Sequence, residues 1–366
     1  MGLENLALVD TASLPIVHEG DVHSGKVRGV YWLPHKNGDD VALKFNLPFH
    51  PSTQLGVMVT SDRLSAFDVI WQAEEGLAGV PGKGAALNAV SLHWFNLLKQ
   101  RGIVDHHVLV APHPLVWIVQ RADPVMVEVI ARDYITGSMW RAYEGGQRVF
   151  NGVTLPDGLK KDEKLPNLLL TPTTKGTMRS IPGVKEEEDA PVTTDTILAN
   201  WERFGYKSRD DVALADQYLA TSFGVISAEL ARANQLFVDT KFEFGYVRHP
   251  TADEWKMVVI DEVGTPDSSR IWGAAEYAAG RTVEKSKEGF RQRLLATLDR
   301  DVLLKSARMD ERRKLARTHR VSVDDFMDVS RTYKDMARTI TGRDLPEIRD
   351  ARSEILDALT PYGLIK

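Results

Sequence analysis

The chain has no cysteine in its 366 residues. That absence excludes a disulfide framework, thiolate-bound zinc, iron–sulfur clusters and any thiol nucleophile, and it fits a reducing intracellular setting. Long apolar runs are missing as well, none approaching the ~20 residues that span a bilayer. The first fifteen residues lack a basic segment leading into an apolar one, so no secretory leader is expected. Leu6 stands where a myristoylation signal after Gly2 needs Ser or Thr. These readings predict a cytoplasmic protein without membrane partners. Strong charge of either sign is also absent, because 46 Lys and Arg against 51 Asp and Glu leave a net −5. Positions 281–320 are rich in Lys and Arg, but acids are scattered among them; a solvated helical face is expected there rather than a nucleic-acid partner. What remains is ordinary globular composition, 43% hydrophobic and 27% charged, enough to bury a core in roughly two domains.

Apolar and aromatic runs bounded by Gly, Pro or charge predict strands over positions 26–33, 55–60, 108–109, 116–119 and 125–130. Positions 35–51, polar and punctuated by proline, read as an insertion between the first two. Over 84–99 the period changes, with Leu87, Val90, Trp94, Phe95 and Leu98 on one helical face. A shorter helix is expected over 138–144, stopped by Gly145 and Gly146. Prolines and glycines recur in polar sequence over 151–192, which reads as a mobile surface loop of the kind that carries function. A helix over 210–234 precedes a strand over 235–244, in which Asp239, Lys241 and Glu243 share one face and Phe242 and Phe244 the other. An apolar strand over 257–263 follows, joined to it by a long hairpin loop. Beyond Arg281 the chain turns helical. Ser322 and Asp325 resemble a capping box ahead of Phe326, Val329, Tyr333 and Met336, and Pro346 suits the start of a last helix over 347–359. Without regular strand–helix alternation, the fold class expected is α+β.

Residues 20–27, Gly-Asp-Val-His-Ser-Gly-Lys-Val, follow P-loop spacing up to the last position, where Val27 cannot ligate magnesium. The segment also runs into a strand instead of a helix, so a P-loop fold is excluded. Ser24, Gly25 and Lys26 form either an ordinary hairpin turn or a loop that covers phosphates with backbone N–H groups and one ammonium. Glu243 and Asp261 each sit on an otherwise apolar strand, and hairpin pairing would bring both to one sheet face. A carboxylate left unpaired there costs several kcal/mol. Its partner is either Lys241 or a magnesium ion shared with nucleotide phosphates. Residues 265–270, Thr-Pro-Asp-Ser-Ser-Arg, and the group Arg132, Thr136, Gly137 and Ser138 supply guanidinium groups, hydroxyls and a helix start. That inventory suits a phosphate ester or carboxylate, and it equally suits helix caps and surface ion pairs. His106, His107 and His113 lack ligand or triad spacing and read as structural.

Six segments in one order, residues 24–28, 60–68, 82–84, 171–175, 239–245 and 261–270, resemble the SAICAR synthase family of purine biosynthesis over roughly positions 20–300. The resemblance implies an ATP-grasp-like, two-lobed fold: an ATP-binding lobe over 1–121, a larger lobe over 122–280 and a helical extension over 281–366. It also implies an ATP-dependent ligase that joins carboxyaminoimidazole ribonucleotide to L-aspartate through an acyl phosphate, with Mg2+ as cofactor. By the same resemblance Ser24, Gly25, Lys26 and Arg28 approach the ATP phosphates, and backbone over 119–122 meets adenine. Glu243 and Asp261 ligate magnesium, with Lys241 beside the reacting centre. Arg132, Ser138 and Arg270 clamp the ribonucleotide phosphate and Asp267 lies near the imidazole amino group. Asp62, Ser65 and Lys175 border the aspartate site, and Lys175 joins Lys241 as a catalytic candidate. Two positions depart from the usual pattern: Gly29 replaces a common Asp, and Asp133 follows Arg132 where a neutral residue is commoner. A small-molecule kinase on a related ATP-binding scaffold is the alternative.

Overall fold

A computed structural model describes Leu3 and residues 6–366 of the chain; Gly2, part of the N-terminal reading above, lies outside them. Strands β1 (His23–Ser24) and β2 (Arg28–Trp32), helix α1 (His35–Phe45) and strand β3 (Leu55–Thr60) lead to a short hairpin, β4 (Leu64–Ala66) and β5 (Val69–Trp71). Helix α2 (Lys83–Gln100) and strands β6 (Asp105–His106), β7 (Val108–His113) and β8 (Val116–Gln120) follow. An antiparallel sheet is built in the order β1, β2, β3, β8, β7.

Arg121 and Ala122 then carry the chain straight into β9 (Asp123–Tyr134) of a second sheet. After it come α3 (Gly137–Glu144), the hairpin β10 (Val149–Phe150) and β11 (Val153–Thr154), β12 (Lys164–Leu170), β13 (Thr173–Thr174), α4 (Thr194–Ala199) and α5 (Asp210–Arg232). Strands β14 (Gln235–Arg248), β15 (Trp255–Ile260) and β16 (Ser269–Gly273) complete this part. The order across the second sheet is β12, β9, β14, β15, β6, with β13 also on β9 and β16 also on β14. Its pairs are antiparallel except the last: β6, which precedes the crossing at Arg121, joins β15 in parallel. The chain closes with α6 (Ala274–Ala278), α7 (Glu288–Thr297), α8 (Arg300–Leu304), α9 (Met309–Thr318), α10 (Val323–Thr341) and α11 (Ala351–Leu359).

Alternation along β14 sends Phe242 and Phe244 into the main core with Trp94 and Phe95 of α2 and Phe223 of α5. The stripe Phe326, Val329, Tyr333 and Met336 buries α10 in the same core, and Ser322 caps that helix by accepting the Asp325 N–H at 3.1 Å. A second core under the first sheet joins Tyr31, Val57 and Ile118 to Ile355, Leu359 and Leu364 at the other end of the chain.

Three expectations are corrected. Positions 35–51 are not an irregular insertion: α1 buries Val41 and Ala42 against Leu55, a small apolar face hidden among charged neighbours, and Asn46 ends the helix in a left-handed conformation. The 151–192 segment is not simply loop, since β12 and β13 pair with β9. The last helix starts at Ala351 rather than after Pro346, because Asp350 caps it by accepting the Ser353 N–H.

Candidate active site

Between the two sheets lies a cleft of about 980 Å³, the size of a pocket for one or more small molecules. The face of β14 opposite its phenylalanines points into it. Register places Glu243 directly across from Glu128 on β9, and two adjacent buried carboxylates need cations between them. Lys241 supplies one, 2.6 Å from Glu128 and 3.1 Å from Glu243, and Lys175 supplies a second on Glu243. Burial favours neutral Glu243, but the two ammonium groups outweigh it and bring the carboxyl down to about 2. Burial likewise disfavours charge on Lys241, yet Glu243 and Glu128 hold its pKa well above the ordinary value. Lys241 therefore acts as a fixed positive charge, not as a proton acceptor.

Asp261 reaches the same cleft by another route than simple pairing. The register opposes Glu243 to Ile260, so Asp261 lies one residue past the last rung, and its left-handed backbone (φ 63°) breaks the alternation. It pairs with Arg28 of β2 at 2.8 Å, and Glu262 takes the other arm of that guanidinium at 3.1 Å. Burial disfavours the Arg28 charge, but Asp261 and Glu262 more than offset it and raise the pKa. The Arg28 Nε stays buried without a partner. Ser24 and Gly25 belong to a hairpin turn closed by the Gly25 N–H donating to the Arg28 carbonyl at 2.8 Å. Lys26 leaves that turn at the cleft mouth and pairs with Asp68 at 2.6 Å, both side chains half-exposed.

At the far end Arg132 and Arg270 share Asp239, at 3.3 and 2.5 Å. Arg132 also donates to the Thr171 hydroxyl and Arg270 to Glu288 at 3.0 Å. Gly137 opens α3 with φ 58°, and the Arg270 guanidinium lies where any β-carbon of residue 137 would sit. A glycine is thus required twice over, for backbone and for space. Ser138 follows it and lines the cleft, as do Ser65, Asp267 and Lys287.

Asp267 is more enclosed than its loop position predicts. One carboxylate oxygen accepts from Lys83 at 2.9 Å and lies 3.5 Å from Lys287, while the Tyr333 hydroxyl donates to the other. Burial opposes its charge, but Lys287 and Lys83 overcome that and keep the carboxyl well below the usual range. Asp62 does not belong to this cleft, which corrects its placement beside Ser65 and Lys175. It accepts the N–H groups of Leu8 (2.9 Å) and Gly84 (2.8 Å), so it ties the N-terminal segment to the start of α2 and borders a separate cavity. Burial raises its pKa to about 6 against those two donors.

Sequence reasoning missed Glu128, Glu262 and Lys287, which line the cleft, and Lys83 and Tyr333, which are buried behind it on Asp267. Glu262 adjoins Asp261 and Lys83 stands between two glycines, signals that could have drawn notice. Glu128 and Tyr333 depend on strand register and helix packing between distant segments. Comparison with known proteins bears on what this arrangement is. The family model for SAICAR synthetase matches residues 48–302. The phosphoribosylaminoimidazole-succinocarboxamide synthases of Vibrio parahaemolyticus and Shewanella amazonensis are 52% and 51% identical over 367 residues, covering both chains in full.

The chain belongs to the SAICAR synthetase family.

Solved structures share the fold of this family member. A SAICAR synthase from Saccharomyces cerevisiae complexed with SAICAR has a TM-score of 0.64 at 24% identity, covering 93% of this chain and all of the other. A SAICAR synthetase in complex with ADP gives 0.56 at 19%, covering 90% and all of the other. Arg312 and Tyr333, which this chain brings to the cleft surroundings, lie beyond the stretch that the family model matches.

Proposed function

We propose that this protein is an ATP-dependent ligase that joins carboxyaminoimidazole ribonucleotide to L-aspartate, giving SAICAR, ADP and phosphate in purine biosynthesis. The carrying observation is that segments far apart in the chain, around Arg28, Arg132, Glu243 and Asp267, line one cleft in a chain half identical to the named synthases. A carboxylate is a poor electrophile, so ATP must first phosphorylate it; the aspartate amine then attacks the acyl phosphate and phosphate departs. Lys26 and Arg28, with the Ser24–Gly25 turn, meet the triphosphate, and the crossing at 119–122 meets adenine. Arg132, Ser138 and Arg270 hold the ribonucleotide phosphate, with Asp267 and Ser65 toward the imidazole and aspartate. Lys241 and Lys175 supply fixed positive charge where the phosphoryl group moves.

Glu243 and Asp261 are the magnesium ligands in this reading. Among the described residues no group of three or more His, Cys, Asp or Glu could hold a metal. A pair of carboxylates on the cleft fits a hard cation that takes phosphate oxygens as its remaining ligands. When bound, magnesium neutralises charge on those oxygens. The ATP-grasp-like two-lobed division at 1–121 and 122–280, with 281–366 as a helical extension, and a cytoplasmic location belong to the same proposal. They are supported by the two sheets flanking the cleft and by dependence on ATP.

Measuring ADP release with ribonucleotide present, with and without aspartate, tests the proposal. Release that requires aspartate and stops on chelation of magnesium is expected. Release indifferent to aspartate would establish the kinase alternative instead.

A further inference from the structure

Resting on the ligase reading, we propose that Lys287 accepts the proton shed by the aspartate amine as the amide bond forms. Amide formation needs such a group: the amine nitrogen bonds to the acyl carbon, the carbon–oxygen bond to phosphate breaks, phosphate leaves with the electron pair, and one proton must leave nitrogen. The other lysines that line the cleft are committed elsewhere, and His23 lies exposed on β1. Lys241 is fixed between two carboxylates, Lys175 sits on Glu243, and Lys26 sits on Asp68. His107 is buried, its Nδ1 toward the Val259 carbonyl, and burial drives its pKa to about 3.

Lys287 differs in its pairing. Its nearest acid is Asp267, but at 3.5 Å, on an oxygen that the fully buried Lys83 already holds at 2.9 Å, while Tyr333 occupies the other oxygen. One carboxylate thus faces two ammonium groups, and the weaker contact belongs to the one that lines the cleft. The charged groups around Lys287 are Asp267 and Glu262 from the loop after β15, Lys83 from α2 and Arg291 from α7, which Lys287 directly precedes. Burial lowers its pKa to about 8 although Asp267 pulls upward, which makes a neutral amine accessible near neutrality. Its chain neighbour Glu288 holds Arg270 at 3.0 Å, and Lys287 lines the same cleft as Arg270, Arg132 and Ser138 of the proposed ribonucleotide clamp.

The test compares wild type, Lys287→Arg and Lys287→Met, using ribonucleotide and ATP with either aspartate or hydroxylamine as nucleophile. Hydroxylamine is weakly basic and traps acyl phosphates without a strong proton acceptor. Wild-type kcat with aspartate should fall as pH drops below about 8. Both variants should lose about a hundredfold or more in that kcat, while hydroxylamine-supported ADP release stays within a few-fold of wild type. Retention of the hydroxylamine reaction also shows that the variants are folded. The proposal is overturned if Lys287→Arg keeps the wild-type rate and pH limb, or if both nucleophiles fail together. Failure of the ligase reading looks different: wild-type ADP release would then ignore aspartate.

Discussion

Replacing Glu243 by Gln removes one charge from the centre of the cleft while keeping the side chain's shape. The Glu243 side chain is only 7% exposed and contacts both Lys241 and Lys175. Its carboxyl lies at about 2 instead of 4.5, and at ~1.4 kcal/mol per pKa unit that is about 3 kcal/mol of preference for the ionised form in the folded state. Breaking a buried ion pair by removing one partner costs about 3–5 kcal/mol, the same order. Because the folded pKa is depressed, this stabilisation is complete above about 4.5 and is lost as pH falls through about 2. Urea unfolding of wild type and Glu243→Gln should therefore differ by about 3 kcal/mol at pH 7, and that gap should shrink to less than half at pH 3 and close only as pH falls to about 2. A difference under about 1 kcal/mol at pH 7, or one unchanged at pH 3, would refute the electrostatic account. If Glu243 also ligates magnesium, the variant needs more of the metal for half-maximal ADP release. An unaltered magnesium requirement would remove it from the ligand set.

Arg270→Ala should weaken ribonucleotide binding, read by calorimetric titration, by roughly ten- to a hundredfold, for loss of a charge-assisted bond of about 1.5–3 kcal/mol; unchanged affinity would discredit the phosphate clamp. Tyr333→Phe deletes the hydroxyl that donates to Asp267. Urea unfolding should show a loss of about 1.5–3 kcal/mol, the worth of a hydrogen bond to a charged group, and no change would mean that Lys83 and Lys287 suffice for Asp267.

The parts of the fold visible from sequence are those set by local pattern. Two-residue alternation from Asp239 to Phe244 displays the inner and outer faces of β14, and the spacing of Leu87, Trp94 and Leu98 displays α2. Helix α1 was hidden because its buried face is as small as Val41 and Ala42. Site residues within recognisable segments, such as Arg28, Lys241, Glu243 and Arg270, were legible as candidates. Their neighbours were not. Glu128 meets Lys241 because β9 and β14 pair at one register, and Tyr333 meets Asp267 because α10 packs on α2. Asp62 misled for the opposite reason: its segment matches the family pattern, but its two oxygens satisfy backbone donors at a helix start.

Strand β6 comes before the crossing at Arg121 and yet pairs inside the second sheet. The polypeptide therefore passes between the two halves more than once, and the Arg28 contacts with Asp261 and Glu262 tie them again. A molecule strung on one flexible thread can gape like a clam; this one is laced, and swinging it wide would require pulling a rung out of a sheet. The half-exposed pair of Lys26 and Asp68 spans the rim of the cleft from two further segments of the chain.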